Sequence, residues 1–212
     1  MRGRPSVARR GSPRAQAPDC GAAGEPTCAS VERVFVMGID PGLSRCGYGV
    51  VAVAVADGEA ARPGVLSAVA AGVLETDPAA PLPERLWLLR EELRSVMAEH
   101  RPRVVAVERV FFQVNARTAM SVGQASGLAL AEAAASGCEV VEYTSNEVKQ
   151  ALAGWGAADK NQVRGMVATV LGLATVPGPP DVADALALAL CHLFAAPVRR
   201  AVAAATLRGA GR

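Results

Sequence analysis

The sequence predicts an α/β fold, a mixed five-stranded sheet flanked by helices, and two observations carry that expectation. Three apolar, strand-like runs follow one another, and after them helical and strand-like segments alternate. A meander followed by alternating helix and strand calls for antiparallel and parallel neighbours in one sheet. The 212 residues, 51% of them hydrophobic, give ample length for one core, and no internal repeat is present.

The chain is organised around residues 34–55, VFVMGIDPGLSRCGYGVVAVAV. An apolar strand ends at Asp40, Pro41 and Gly42 supply turn chemistry, and a second apolar strand follows. DGEA at 57–60 is a turn, and 65–74 reads as a third strand. Pro81 opens a helix to about His100, in which Leu82, Leu86, Leu89, Leu93, Val96 and Met97 recur at helical spacing, and Pro102 stops it. Residues 103–108, RVVAVE, form a short strand ending in an acid, the same grammar as the first. A second helix spans about 115–136, where Gly123, Ala125, Gly127, Ala129 and Ala131 suit close packing. Residues 138–143 form the fifth strand, and three helical segments follow near 146–153, 160–171 and 181–194.

The net charge of +2 is too small to imply polyanion binding from its total, so any basic surface must be local. Five cysteines, Cys20, Cys28, Cys46, Cys138 and Cys191, are scattered without a CxxC pair. That spacing argues against a zinc ribbon or a disulfide scaffold and fits a reducing, cytoplasmic setting. The longest apolar stretches are broken by charge or Gly, so no membrane span is expected. Residues 1–32 are rich in Arg, Pro, Gly, Ala and Ser and lack both apolar periodicity and a signal-peptide core, so they read as a disordered basic extension. A valine codon can serve as a start, so translation from Val31 is a second reading of that extension. The globular domain is expected at 33–196 and a basic tail at 197–212, where Arg199, Arg200, Arg208 and Arg212 either lie on DNA or are simply solvated.

The chemistry lies in the acids. Asp40 and Glu108 both end predicted strands, at the edge where α/β sheets bind ligands. Asp181 and Asp184 follow a Pro-Gly-Pro-Pro run and open the last helix, DVADALALAL, sharing one face of its first turn at i, i+3. Singly, each has a structural explanation: Asp40 as a turn former, Asp181 as an N-cap, Asp184 at the positive end of the helix dipole. Those explanations do not account for four acids at element ends among apolar neighbours. Carboxylates brought together repel one another unless a cation intervenes. Oxygen ligands without His or Cys point to Mg²⁺ or Mn²⁺ rather than zinc. Two such ions about 3.5–4 Å apart would orient a water and stabilise a leaving oxygen in phosphodiester cleavage.

Two of the four phenylalanines, Phe111 and Phe112, fall in the loop after Glu108. One is expected to pack beneath the loop, while an exposed ring there suits stacking on an unpaired or distorted base. Of 22 basic residues only Lys149 and Lys160 are lysines, both within VKQALAGWGAADKNQ. A compact ammonium suits a phosphate or metal-bound oxygen, although surface lysines without a role remain the alternative. The candidate DNA-binding residues are Phe111, Phe112, Asn115, Arg117, Lys149 and Lys160. His192 stands too far past Asp184 to join the acids and is expected in the core or an interface, and His100 ends a helix and needs no role.

Four linked motifs, GIDPGLSRCGYGV, VERVFFQVNARTAMSVGQASG, EYTSNEVKQALAGWGAADKNQV and PDVADALALALCH, resemble the RuvC family of Holliday-junction resolvases over roughly residues 33–194. GIDPG alone would not be specific, since sugar kinases and actin-like ATPases carry a related strand and turn. The resemblance implies an RNase H-like nuclease domain, a homodimer, and Mg²⁺-dependent paired nicking of four-way DNA junctions that leaves 5′-phosphates. It also implies cooperation with the RuvA–RuvB branch-migration complex and a mild sequence preference. By position, the family's catalytic acids match Asp40, Glu108, Asp181 and Asp184, expected to hold two Mg²⁺ per site with Mn²⁺ as a substitute. Its junction-contacting aromatic falls on Phe111 and its later basic residues on Lys149 and Lys160. Val114 is a departure, standing where a polar residue would be easier to place beside DNA.

Two readings from other classes stand beside this one. A non-catalytic four-way-junction binding protein would have at least one acid displaced in the fold. An actin-like ATPase would need a second such domain and a further Gly-rich phosphate loop, which the sequence does not contain.

Overall fold

The computed structural model describes residues 32–55, 66–110 and 116–209. Five strands, β1 (Glu32–Asp40), β2 (Arg45–Val55), β3 (Leu66–Glu75), β4 (Val104–Glu108) and β5 (Glu139–Tyr143), form one sheet in the order β3-β2-β1-β4-β5. The β1–β2 and β2–β3 pairs are antiparallel, and the β1–β4 and β4–β5 pairs are parallel. The expected mixed sheet is observed, with β1 at its centre. The helices are α1 (Leu82–His100), α2 (Ala116–Ala135), α3 (Ser145–Ala153), α4 (Lys160–Val170) and α5 (Pro180–Gly209).

Alternation along β1 divides its side chains between two cores. Val36 joins the core built with α3, α4 and α5, whereas Met37 and Ile39 join the one built with α1 and α2. Strand β4 repeats the pattern, Val104 and Ala106 on the α5 side and Val105 and Val107 on the other. Helix α1 presents Leu89, Leu93, Val96 and Met97 to the sheet and closes at Arg101, whose φ of 45° turns the chain one residue before Pro102. The small residues of α2 divide by face. Ala125, Ala129 and Ala133 are fully buried at i, i+4 spacing, while space beside Gly123 and Gly127 is open, so alanine rather than glycine sets the packing distance. Buried Glu132 ties α2 to α1 through Arg90 at 3.0 Å and Arg94 at 3.8 Å.

The opposite face of the sheet is closed by α5, and three glycines decide how closely. A Cβ on Gly38 would collide with the carbonyl oxygen of Ala185, one on Gly47 with that of Asp181, and one on Gly49 would lie 2.7 Å from the Leu186 side chain. Gly38 and Gly49 face each other across β1 and β2, so the helix rests on bare backbone. Past this seam α5 runs without a break through residue 196, where the sequence places the boundary between domain and tail, and Pro197 falls inside the helix rather than ending it. Among the described residues no helix is long and apolar enough to cross a membrane.

Gly38→Ala should lift α5 from the sheet and destabilise the protein by about 1–3 kcal/mol, the usual cost of overpacking. Gly165→Ala in α4, where an added Cβ meets open space, should stabilise by up to about 1 kcal/mol through helix propensity. Urea unfolding of both variants checks the contrast, and a Gly38→Ala protein as stable as the parent would refute the seam.

Candidate active site

The register of β1 and β4 sets Ile39 opposite Val107. The next residues, Asp40 and Glu108, therefore end adjacent parallel strands on one face, the face that α5 covers. Pro180 is the first residue of α5, a position that its fixed φ suits. Asp181 consequently lies within the first turn rather than capping it. Its Oδ2 accepts a hydrogen bond from Arg45 Nη2 at 2.9 Å, and Arg45 reaches Glu75 at 3.5 Å. One turn on, Asp184 Oδ2 accepts from Lys160 Nζ at 3.0 Å. Asp40, Glu108 and Asp184 line one open cleft of about 160 Å³ together with Ser145, Lys149 and Lys160. Asp181 flanks that cleft on the β2 side, close enough for its charge to act on Asp40.

The two lysines arrive on helices whose starts are locally determined. Thr144 and Glu147 form a capping box that begins α3, and Asp159 and Gln162 form another that begins α4. Lys160 is thus the first residue of a capped helix, and Lys149 sits within the preceding one. Both capping patterns are written in the sequence, as T-x-x-E and D-x-x-Q, and they define the starts at Ser145 and Lys160.

Crowding the acids raises their proton affinity. Burial first, and then the charges of Glu108, Asp184 and Asp181, push the Asp40 carboxyl up to about 7. Burial also raises Glu108, with Asp184 adding to it and Lys160 opposing. The hydrogen bond between the two carboxyls favours the proton on Asp40, which donates it to Glu108. The Asp184 carboxylate in turn holds the Lys160 ammonium above its ordinary value. Cys46 is no rival nucleophile, since complete burial pushes its thiol up to about 12.

The donor set, four carboxylates without His or Cys, suits a hard divalent cation, and the raised carboxyls mark a deficit of positive charge that such a cation would relieve. Among the described residues no three His, Cys, Asp or Glu side chains are arranged to hold a metal as they stand. Asp181 and Asp184 are instead turned to Arg45 and Lys160. The donors fit in type and location, and their side-chain rotamers are those of acids paired with the protein's own cations.

A family model described as Crossover junction endodeoxyribonuclease RuvC matches residues 36–192. The chain belongs to the RuvC family. The RuvC of Salinispora arenicola is 49% identical over 180 residues, which cover 84% of this chain and 99% of that protein. Among solved structures, T. thermophilus RuvC in complex with Holliday junction substrate superposes with a TM-score of 0.69 at 39% identity, covering 77% of this chain and 94% of that one. The yeast mitochondrial Holliday junction resolvase Ydc2, at 13% identity and a TM-score of 0.54, covers 75% of this chain and 78% of its own and shares the fold. The RNase H-like fold expected from the resemblance is the one observed.

In this RuvC-family chain, the structure brings together all four acids and both lysines that the sequence singles out. Phe111, Phe112, Val114 and Asn115 lie outside the described residues, and Arg117 stands at the start of α2 with its side chain not described. His192 is buried, its Nδ1 3.1 Å from the Tyr143 hydroxyl, in the core as expected. The sequence reading missed Arg45 and Ser145, and it missed the glycine seam. The seam had a visible signal, Gly38, Gly47 and Gly49 on alternating strand positions. Arg45 had none, because only the fold sets β2 beside the start of α5.

A carboxyl whose folded value lies above its unfolded one stabilises the fold below the unfolded value and loses that contribution as pH rises through the folded value. For Asp40 the window runs from its ordinary 3.8 to about 7. In EDTA, the melting temperature should therefore fall between about pH 4 and pH 8, and Asp40→Asn should flatten that slope. Differential scanning calorimetry across this range measures it, and an unchanged slope in the variant would rule out Asp40 as its source.

Proposed function

We propose that this chain is a crossover junction endodeoxyribonuclease that resolves Holliday junctions by metal-dependent, symmetric nicking of two opposed strands in recombination and DNA repair. The observation that carries the reading is the convergence of Asp40, Glu108, Asp181 and Asp184 with Lys149 and Lys160 around one cleft in a RuvC-family chain. The binding-only alternative asks for a displaced acid, and all four stand at the same edge of the sheet.

Asp40, Glu108, Asp181 and Asp184 would hold Mg²⁺, two ions per site, with Mn²⁺ as a substitute. Bound there, such ions supply charge neutralisation and a water activated for in-line attack, giving a 5′-phosphate. The chain's own residues do the rest. Lys149 and Lys160 line the cleft, where their ammonium groups would meet the phosphate charge that builds in the transition state. Loss of Asp184 to a cation would free Lys160 to face the phosphate. Phe111, with Phe112, Asn115 and Arg117, contacts DNA near the crossover, where bases are unstacked. Junction preference arises from shape and phosphate positions more than from base edges.

The substrate's symmetry sets the assembly. An opened four-way junction has approximate two-fold symmetry, so an isologous homodimer presents one site to each of two opposed strands. Handover of the junction from RuvA–RuvB, in the cytoplasm, completes the proposal.

A labelled, branch-migratable four-way junction incubated with the protein should give symmetric paired nicks with Mg²⁺ and none with EDTA. Asp40→Asn should lower cleavage on the order of 100-fold or more while leaving junction binding intact. Binding without nicks in the parent protein would establish the non-catalytic alternative instead.

A further inference from the structure

The connection between α3 and α4 carries a feature that the cleavage reading does not use. Trp155 is 52% exposed there, on the stretch of chain that separates Lys149 from Lys160. Half-exposed tryptophans are characteristic of contact surfaces, since the indole combines a large apolar face with a polar edge. The flanking residues, Gly154 and Gly156, have no side chains to cover it.

The backbone that carries the indole is closely tied to the two helices. Gly154 adopts a φ of 78°, its N–H donates to the Gln150 carbonyl, and Gln150 Nε2 donates back to the Gly154 carbonyl at 2.8 Å. A Cβ on Gly156 would collide with Asn146 Oδ1, so the loop lies tight against the start of α3. Ala158 N–H turns back to the Trp155 carbonyl at 3.4 Å, and the Asp159 capping box then begins α4. Both ends of the loop are anchored to helices that line the cleft. A loop anchored at both ends loses less backbone entropy on contact than a free one.

We propose that Trp155 stacks on an unpaired or unstacked base of the junction beside the cleft, as a second aromatic contact carried by the lysine-bearing α3–α4 connection. The ligand chemistry follows from the neighbours: ammonium groups for the phosphates, and an exposed aromatic face for a base. Exposed Trp87, on α1, has no such setting, because α1 packs on the sheet face opposite the cleft. The inference rests on the junction-resolving reading above and adds a specificity-determining contact to it.

The chain contains two tryptophans, so a Trp87→Phe background leaves Trp155 as the sole indole emitter. In EDTA, which prevents cutting, anisotropy of a labelled four-way junction reports binding and Trp155 emission reports stacking. Saturating junction should quench Trp155 emission. Trp155→Ala should weaken junction affinity about tenfold, the scale of one lost stacked base, and Trp155→Phe should restore most of it. Binding without quenching overturns the stacking role and leaves the junction reading intact, as does an unchanged affinity in Trp155→Ala. Absence of junction binding by the parent protein overturns both.

Discussion

The acidic edge of this protein depends on helix α5 lying directly on the backbone of β1 and β2. Gly38, Gly47 and Gly49 leave no side chain between helix and sheet, and the Ala185 carbonyl occupies the space that a Cβ on Gly38 would claim. Because the helix comes so close, Asp181 and Asp184 on its first turns come within reach of carboxylates that end the two neighbouring strands. A layer of valines beneath α5 would hold the helix farther from the sheet, and its acids farther from Asp40 and Glu108. The glycine seam therefore serves the site, and the buried length of α5 beyond it, from Ala185 to Cys191, keeps the helix in place.

That closeness costs stability in the absence of a cation. The Asp40 carboxyl rises to about 7 because burial and three like charges oppose its ionisation, and burial raises Glu108 as well. The protein meets part of this strain itself, with Arg45 on Asp181 and Lys160 on Asp184. Both of those pairs are exposed to solvent, where ion pairs contribute little, so they orient the acids more than they stabilise the fold. The inner pair, Asp40 and Glu108, has no basic hydrogen-bond partner among the described residues, and this is where a divalent cation would have most to relieve. Functional sites commonly depart from the local rules that the rest of a fold obeys, and here the departure is four acids at one edge of an otherwise apolar sheet.

Much of the fold was legible because hydrophobic periodicity follows backbone geometry. Leu89, Leu93, Val96 and Met97 declare one face of α1, and the apolar runs ending at Asp40 and Glu108 declare two buried strands. Element ends were less legible. Helix α3 starts at Ser145 because of a capping box, and α5 runs on past Pro197 to Gly209. Of the small residues of α2 expected to allow close packing, Ala125 and Ala129 are fully buried while Ala131 is exposed and the space beside Gly123 and Gly127 is open, since their phase around the helix relative to the sheet is a tertiary matter.

What the sequence by itself determined is which residues are the candidates for the chemistry, four carboxylates at element ends and two lysines where arginine is otherwise used, together with motifs sufficient to indicate the family. These are properties of residue type and spacing, and they survive without coordinates. Only the tertiary structure decided how the acids are paired, Asp40 with Glu108 through the parallel register, Asp181 with Arg45, and Asp184 with Lys160. Those partners lie far apart in the chain, and short-range pattern carries no information about them. Their meeting is set by the strand order, and by how closely one helix can approach a sheet that has glycine where it touches.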